Sequence, residues 1–289
     1  MTSHLSGLLY RNANLIEAGI SPSYVFDGLP SERKTDTIKE RGERRAKAAE
    51  EWEEAKREGD LERAFTKATQ ASRMTKDVVE SSRTLLAHLG IPVVQAPGEG
   101  EAQAAYMALK GDVWASSSQD YDSLLFGAPR LIRNLTITGR RKMPRGGYRT
   151  VDLELVELTK VLELNDITRE QLVDVCILIG TDYNKGISGI GPKRALKLVK
   201  ELEDMEAIFS KLDIRIEGYE EIRALFLEYE RTDEYDLGWK APDRERVMEF
   251  LCEEHDFSAD RVSSTLDRIE ARWTESRDSK KQRSLDMFF

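Results

Sequence analysis

Acidic residues follow several short apolar runs of the chain, at the points where buried segments would end. They are Asp27, Glu99, Glu101, Asp120, Asp122 and Asp182. In an open parallel sheet, ligands bind beyond the carboxyl ends of the strands, and carboxylates gathered there repel one another unless cations neutralise them. Because the set contains no His or Cys, its hard oxygen ligands indicate Mg²⁺ or Mn²⁺, with enough charge for two ions. Two such ions can activate water and stabilise the leaving oxygen of a phosphodiester.

The spacing within two of these pairs restricts where they can converge. Residues i and i+2 point to opposite sides of a helix but to the same side of an extended segment. Glu99 and Glu101 can therefore meet only at a strand end, a turn or a helix entrance, and the same holds for Asp120 and Asp122. Each aspartate taken alone is also compatible with a helix cap or a turn, and the spacing leaves that alternative open.

A glycine-rich hairpin occupies residues 186–195 (GISGIGPKRA). Gly189 and Gly191 allow the backbone to approach a phosphate closely, and a proline suits the first turn of the helix that follows. Lys193 and Arg194 add positive charge at this helix N-terminus, which itself attracts anions. The pattern is typical of a helix–hairpin–helix element that binds a duplex backbone, and an ordinary tight turn is the alternative.

A second group of basic residues lies early in a long, charge-dense helical stretch. Lys34, Arg41 and Arg45 are spaced by seven and four residues, which places them on one helix face, with Arg44 beside them. This face could contact nucleic acid, although such runs usually mark a solvated, salt-bridged helix. The acidic run 50–54 (EEWEE) confines the basic face to the first turns.

The composition excludes several classes of protein. The chain has 44 Lys and Arg against 53 Asp and Glu, a net charge of −9, so it is not a globally basic nucleic-acid binder. No apolar run approaches the roughly 20 residues of a membrane span. Cys176 and Cys252 lie far apart and are expected to be reduced thiols, and the three histidines lack metal-ligand spacing.

The last residues form an apolar cluster at the end of a polar tail. The cluster lies in 282–289 (QRSLDMFF), in which one helical turn could present Leu285, Phe288 and Phe289 together. Such a cluster has no core to join, so we expect it to bind a partner protein, with a frayed tail as the alternative.

The order of the predicted elements places these residues in an α/β fold. Strands alternate with helices up to about residue 150, which predicts a mainly parallel sheet flanked by helices, and helices dominate afterwards. We divide the chain into the remainder of an N-terminal region (1–33), a helical arch with a basic face (34–76), the carboxylate-bearing α/β core (77–160), the helix–hairpin–helix and C-terminal helical region (161–273) and a flexible tail (274–289).

The sequence resembles the flap endonucleases, in the wider family of structure-specific 5′ nucleases, and looks like their archaeal branch. The resemblance is carried by segments 24–28 (YVFDG), 96–105 (APGEGEAQAA), 118–122 (SQDYD), 180–183 (GTDY) and the glycine hairpin. It implies an endonuclease and 5′–3′ exonuclease, a hydrolase of ester bonds that cuts DNA where a 5′ flap meets duplex, in replication and base excision repair. It also implies that the six carboxylates bind two Mg²⁺ ions and that Lys34 and Arg41, at the base of the arch, contact the scissile phosphate.

Further expectations rest on the same resemblance. It implies K⁺ at the helix–hairpin–helix, with Gly189, Gly191, Lys193 and Arg194 on DNA, and a sliding-clamp (PCNA) motif. The motif residues are Gln282, Leu285, Phe288 and Phe289. We expect a monomer in a prokaryotic cytoplasm, associated with the nucleoid and not with a membrane. In the family, an earlier stretch supplies a first strand and another aspartate, whereas this sequence begins after it. The alternative is therefore a truncated, catalytically impaired protein that binds junction DNA and the clamp.

Overall fold

The computed structural model describes residues 2–29, 34–71, 75–136, 139–142, 147–202 and 204–279. The helices are α1 (Ser3–Glu17), α2 (Thr35–Glu58), α3 (Leu61–Ala71), α4 (Lys76–His88), α5 (Gly100–Lys110), α6 (Asp122–Leu125), α7 (Leu158–Asn165), α8 (Arg169–Ile179), α9 (Pro192–Leu202), α10 (Met205–Leu212), α11 (Tyr219–Leu227), α12 (Arg244–Met248) and α13 (Ala259–Ser279). The strands are β1 (Tyr24–Phe26), β2 (Val93–Gln95), β3 (Ser116–Ser117), β4 (Arg130–Arg133), β5 (Arg140–Lys142), β6 (Tyr148–Thr150) and β7 (Glu154–Glu157). The predicted α/β class is confirmed.

The chain folds as two compact units, and each is built from separate stretches of sequence. The first comprises residues 1–26, 73–95 and 234–289. In it β1 and β2 pair in parallel, with Tyr24 beside Val93, and α1 packs against α4 and α13. Leu5 and Leu9, one helical turn apart, are fully buried, and so is Leu266 on α13. The helical spacing of apolar residues in α1 thus builds this core.

The second unit comprises residues 27–72 and 96–233 and carries all six acidic residues singled out above. In it β3 pairs in parallel with β4, β7 runs antiparallel to β4, and β5 pairs antiparallel with β6. Its largest core forms around α8, where Val173 and Ile177 are fully buried and Phe226 of α11 is 1% exposed. The sequence did not predict β5, β6 or β7, and β7 lies in the stretch after residue 150 where helix signals dominate.

Helices α2 and α3 form a helical hairpin within the second unit. The break between them falls at Gly59, which adopts the left-handed conformation that ends α2. Their contact buries only alanine methyl groups among the residues described there, at Ala48, Ala55 and Ala64. Ion pairs from Arg63 to two glutamates of α2 add to the contact on its solvent side. This hairpin lies within the stretch predicted as an arch.

Candidate active site

A close approach between two loops fixes the position of two of the acidic residues. The Gly28 N–H donates to the Gly98 carbonyl at 2.6 Å, and a Cβ on Gly28 would lie 2.2 Å from the Pro97 carbonyl oxygen. Only glycine fits this position, because any side chain would collide with backbone. The Asp27 Oδ1 accepts the Gly100 N–H at 2.7 Å, so this carboxylate sits at the N-terminus of α5, where the helix dipole favours negative charge.

The entrance of α5 also positions Glu99 and Glu101. Glu99 has an extended backbone as the N-cap residue of α5, and Glu101 lies in its first turn. This is one of the geometries that the i, i+2 spacing allows. Two serines hold Glu101: Ser118 Oγ donates to Oε1 at 2.5 Å, and Ser123 Oγ donates to Oε2 at 3.3 Å. Glu101 therefore presents its carboxylate in a fixed orientation.

The other three acidic residues carry charge into the same place. Asp122 begins α6, and burial followed by the charges of Asp182 and Asp120 raises its pKa, although Lys34 opposes the shift. Burial also raises the pKa of Glu101, and the charge of Asp122 adds to this effect. Like charges raise a carboxyl pKa only when they lie close together. Glu99, Glu101, Asp120, Asp122 and Asp182 are thus one electrostatically coupled group.

Lys34 directly precedes α2 and places its ammonium among these carboxylates. Its Nζ lies 2.6 Å from Glu99 Oε2 and 3.9 Å from Asp182 Oδ2. The same ammonium lies 5.3 Å from the ring centroid of Tyr183. Burial and the charge of Glu99 raise the pKa of Tyr183, so its hydroxyl stays protonated. Sequence reasoning predicted Lys34 but did not give Tyr183 a role.

The donor set suits a hard divalent cation. The group offers carboxylate oxygens, and its excess negative charge is costly in a partly buried place. Among the residues that the structure describes, however, no three His, Cys, Asp or Glu side chains form a group that could already hold a metal ion. The geometry is thus a coupled cluster of carboxylates around Lys34 and not a finished coordination shell.

The glycine hairpin connects α8 to α9 in the second unit, as predicted. Gly189 has φ of +77°, and nothing lies within 4 Å of where its Cβ would be. Ile187 and Ile190 are buried beneath the hairpin, while Lys193 and Arg194 are exposed in the first turn of α9. The exposed side chains of Lys193 and Arg194 therefore lie beside the hairpin, and the Arg194 Nη1 donates to the Gly189 carbonyl at 3.3 Å. The apolar run before Asp182 proves to be the end of α8 and not a strand.

The remaining predicted site residues lie on α2 and in the C-terminal tail. Arg44 and Arg45 are exposed on α2, and Arg41 lies on the same helix. The tail residues Gln282, Leu285, Phe288 and Phe289 lie outside the described part of the chain. Ser118, Ser123 and Tyr183 were missed, although the three serines of 116–118 and the motif around Tyr183 gave a signal. In the described ranges, no helix is both long and apolar enough to cross a membrane.

Comparison with known proteins identifies relatives along the whole chain. Residues 1–48 match the XPG N-terminal domain and residues 90–182 match the XPG I-region. Flap endonuclease 1 of Methanosarcina acetivorans is 49% identical over 290 aligned residues, covering 100% of this chain and 84% of that protein. Flap endonuclease 1 of Pyrococcus abyssi is 53% identical over 272 aligned residues, covering 93% of this chain and 78% of that protein.

Solved structures agree with these relatives. Flap endonuclease-1 from Methanococcus jannaschii superposes with a TM-score of 0.73 at 43% identity, over 96% of this chain and 83% of that one. The catalytic core of Rad2 in complex with a DNA substrate gives a TM-score of 0.67 at 21% identity, over 93% of this chain and 86% of that one, a likeness of fold alone. Identities of about half over nearly all of this chain and about four fifths of each relative decide the family: this chain belongs to the flap endonuclease 1 family.

Proposed function

We propose that this protein is a structure-specific 5′ flap endonuclease that hydrolyses a DNA phosphodiester where a flap meets duplex. Its cellular roles are Okazaki fragment maturation and base excision repair. The observation that carries the proposal is the coupled carboxylate group around Lys34, formed by residues of the segments that carry the family resemblance. A hydrolase of phosphodiesters needs both acidic ligands and a positive group for the phosphate, and this site offers both.

Nucleases of this family are metal-dependent, and we propose Mg²⁺ for this chain, with two ions held by the six carboxylates. When bound, Mg²⁺ lowers the pKa of an attacking water and stabilises the leaving oxygen. The fit rests on the all-oxygen donor set and on the pKa values of Glu101 and Asp122, which burial and like charge raise. A cation relieves that repulsion.

The chain's own residues orient the substrate and the ligands. Lys34, with only about a fifth of its side chain exposed, offers its ammonium to a phosphate oxygen from a partly buried position. Arg41, on α2, is proposed to contact the same phosphate. Ser118 and Ser123 keep Glu101 from rotating, and the Gly100 N–H does the same for Asp27. Fixed ligands reduce the reorganisation that the reaction requires.

Two basic surfaces bind the DNA at phosphates other than the reacting one. The exposed first turn of α9 offers Lys193 and Arg194 beside the open backbone of the hairpin, which supports contact with a duplex backbone. We propose that K⁺ binds at this hairpin and helps to dock the duplex. Arg44 and Arg45 on α2 face the 5′ strand. Such contacts neutralise phosphates without reading sequence, as expected for an enzyme that recognises DNA shape.

The C-terminal residues 282–289 are proposed to dock on a sliding clamp, as a single apolar turn inserted into a groove of the clamp. The spacing of Gln282, Leu285, Phe288 and Phe289 supports this assignment. We propose that the protein acts as a monomer in association with the prokaryotic nucleoid. Docking would raise the local concentration of the enzyme at replicating DNA.

A substrate panel tests the proposed function. Purified full-length protein is incubated with Mg²⁺ and end-labelled 5′-flap, 3′-flap, blunt duplex and single-stranded DNA of the same sequence. Cleavage within one or two nucleotides of the 5′-flap junction, and at least about 10-fold slower cleavage of the other three, is the expected result. Binding to the flap without cleavage at any Mg²⁺ concentration would contradict the proposal and would favour the impaired, junction-binding alternative.

A further inference from the structure

Tyr183 stands between the helical core of the second unit and the ammonium of Lys34. It follows Asp182 directly in sequence, but its side chain makes contacts of its own. The Lys34 Nζ lies 5.3 Å from the centroid of its ring. The Tyr183 ring thus lies beside the basic group that would hold the phosphate.

Lys34 needs such support because its side chain is long and flexible. A lysine carries several rotatable bonds and a point charge, so it gains little geometric definition from one ion pair. The face of an aromatic ring attracts an ammonium within about 6 Å, most strongly where water is excluded. With Glu99 at 2.6 Å and the Tyr183 ring at 5.3 Å, the ammonium is held from two directions.

The ring itself is anchored in the protein core. Tyr183 packs edge-on against Phe226, with centroids 5.4 Å apart and planes at 79°. Phe226 is 1% exposed and lies in the cluster built around α8, the helix that leads into the glycine hairpin. In addition, the Tyr183 N–H donates to Thr181 Oγ1 at 3.1 Å. The ring therefore offers Lys34 a fixed platform.

We propose that Tyr183 is a positioning residue that holds Lys34 in place for the scissile phosphate. The proposal rests on the proposed function and extends it, because it assigns the orientation of the lysine to a side chain that does not itself contact the substrate. The aromatic ring, and not the hydroxyl, is the operative part.

Four variants test the proposal on the full chain: Tyr183→Leu, Tyr183→Phe, Lys34→Ala and the double variant of Tyr183→Leu with Lys34→Ala. Single-turnover cleavage of a 5′ flap is measured with Mg²⁺, and flap affinity is measured separately in EDTA. We expect Tyr183→Leu to slow cleavage at least about 10-fold, Tyr183→Phe to stay within about 3-fold of wild type, and affinity to change less than about 2-fold. In the Lys34→Ala background, Tyr183→Leu should have no further effect, since the two residues act as a unit.

Tyr229→Leu is the matched control, because Tyr229 packs on the same core through Phe126, with centroids 5.3 Å apart. It should lower the melting temperature about as much as Tyr183→Leu and leave the cleavage rate within about 2-fold of wild type. Equal slowing by Tyr183→Leu in both Lys34 backgrounds, or by Tyr183→Phe and Tyr183→Leu, would overturn the proposal. Failure of the wild-type protein to cut the flap would instead contradict the proposed function.

Discussion

Gly28→Ala should uncouple two of the acidic residues without removing either. The added Cβ would lie 2.2 Å from the Pro97 carbonyl oxygen, 2.4 Å from that of Ala96 and 2.5 Å from the Pro97 carbonyl carbon. All three are backbone atoms, so relief requires the two loops to separate by about 1 Å. Since Asp27 and Glu99 flank this contact, their carboxylates move apart with the loops. A displacement of that size can cost on the order of 100-fold in rate, and overpacking costs about 1–3 kcal/mol of stability.

Gly98→Ala, in the same loop, is the matched control. Its Cβ would meet only the Glu230 carboxylate, at 3.9 Å, which is an ordinary contact. Single-turnover cleavage of a 5′ flap and thermal unfolding are measured for both variants. Gly28→Ala should cleave about 100-fold more slowly than Gly98→Ala at a temperature where both are folded. Equal cleavage rates for the two variants would show that this backbone contact does not set the position of the acidic residues.

Four further predictions concern stability and binding. Tyr219→Phe removes the 2.6 Å hydrogen bond from the tyrosine hydroxyl to the buried Asp174. The free energy of unfolding in urea should fall by about 1–3 kcal/mol, even though the Arg223 Nε still donates to the same carboxylate oxygen. Burial raises the pKa of Asp174 in the folded protein above its usual value of 3.8. The contribution of this carboxyl to the free energy of unfolding is therefore present at lower pH and is lost as the pH rises through the folded-state pKa. Over that rise, the wild type should lose stability relative to Asp174→Asn. Replacing both Lys193 and Arg194 with alanine should weaken flap binding and reduce the slope of log K for flap binding against log salt concentration by about 1–2. Replacing both Phe288 and Phe289 with alanine should abolish clamp binding, measured by calorimetry, without slowing flap cleavage.

Local chemistry allowed much of the fold to be predicted. The helices of the first unit follow from apolar spacing, and the entrance of α5 follows from a Pro-Gly-Glu-Gly segment that cannot continue a strand. The strand β7, with the sequence Glu-Leu-Val-Glu, was not predicted, because four residues carry too little pattern against their helical surroundings. Its pairing with β4 stabilises it, and that partner lies more than 20 residues away.

The convergence of the acidic residues could be predicted from the sequence, but the side chains that surround them could not. The sequence indicated that Asp120 and Asp122 converge, yet the serines that orient Glu101 come from a segment 17 to 22 positions away. Likewise, Lys34 lies 65 positions from Glu99. Spacing rules describe neighbours on one element, whereas these contacts depend on how loops from separate elements pack.

Cleavage by an Asp182 variant tests whether the carboxylate group is the catalytic centre. Asp182→Ala is compared with Asp152→Ala, a change at an exposed loop aspartate of the same unit. Single-turnover cleavage of a labelled 5′ flap is measured with Mg²⁺, and flap affinity is measured in EDTA. We expect Asp182→Ala to cleave at least about 1,000-fold more slowly than Asp152→Ala and to bind the flap with similar affinity. Cleavage by Asp182→Ala at a rate close to that of Asp152→Ala would show that the carboxylate group is not the catalytic centre.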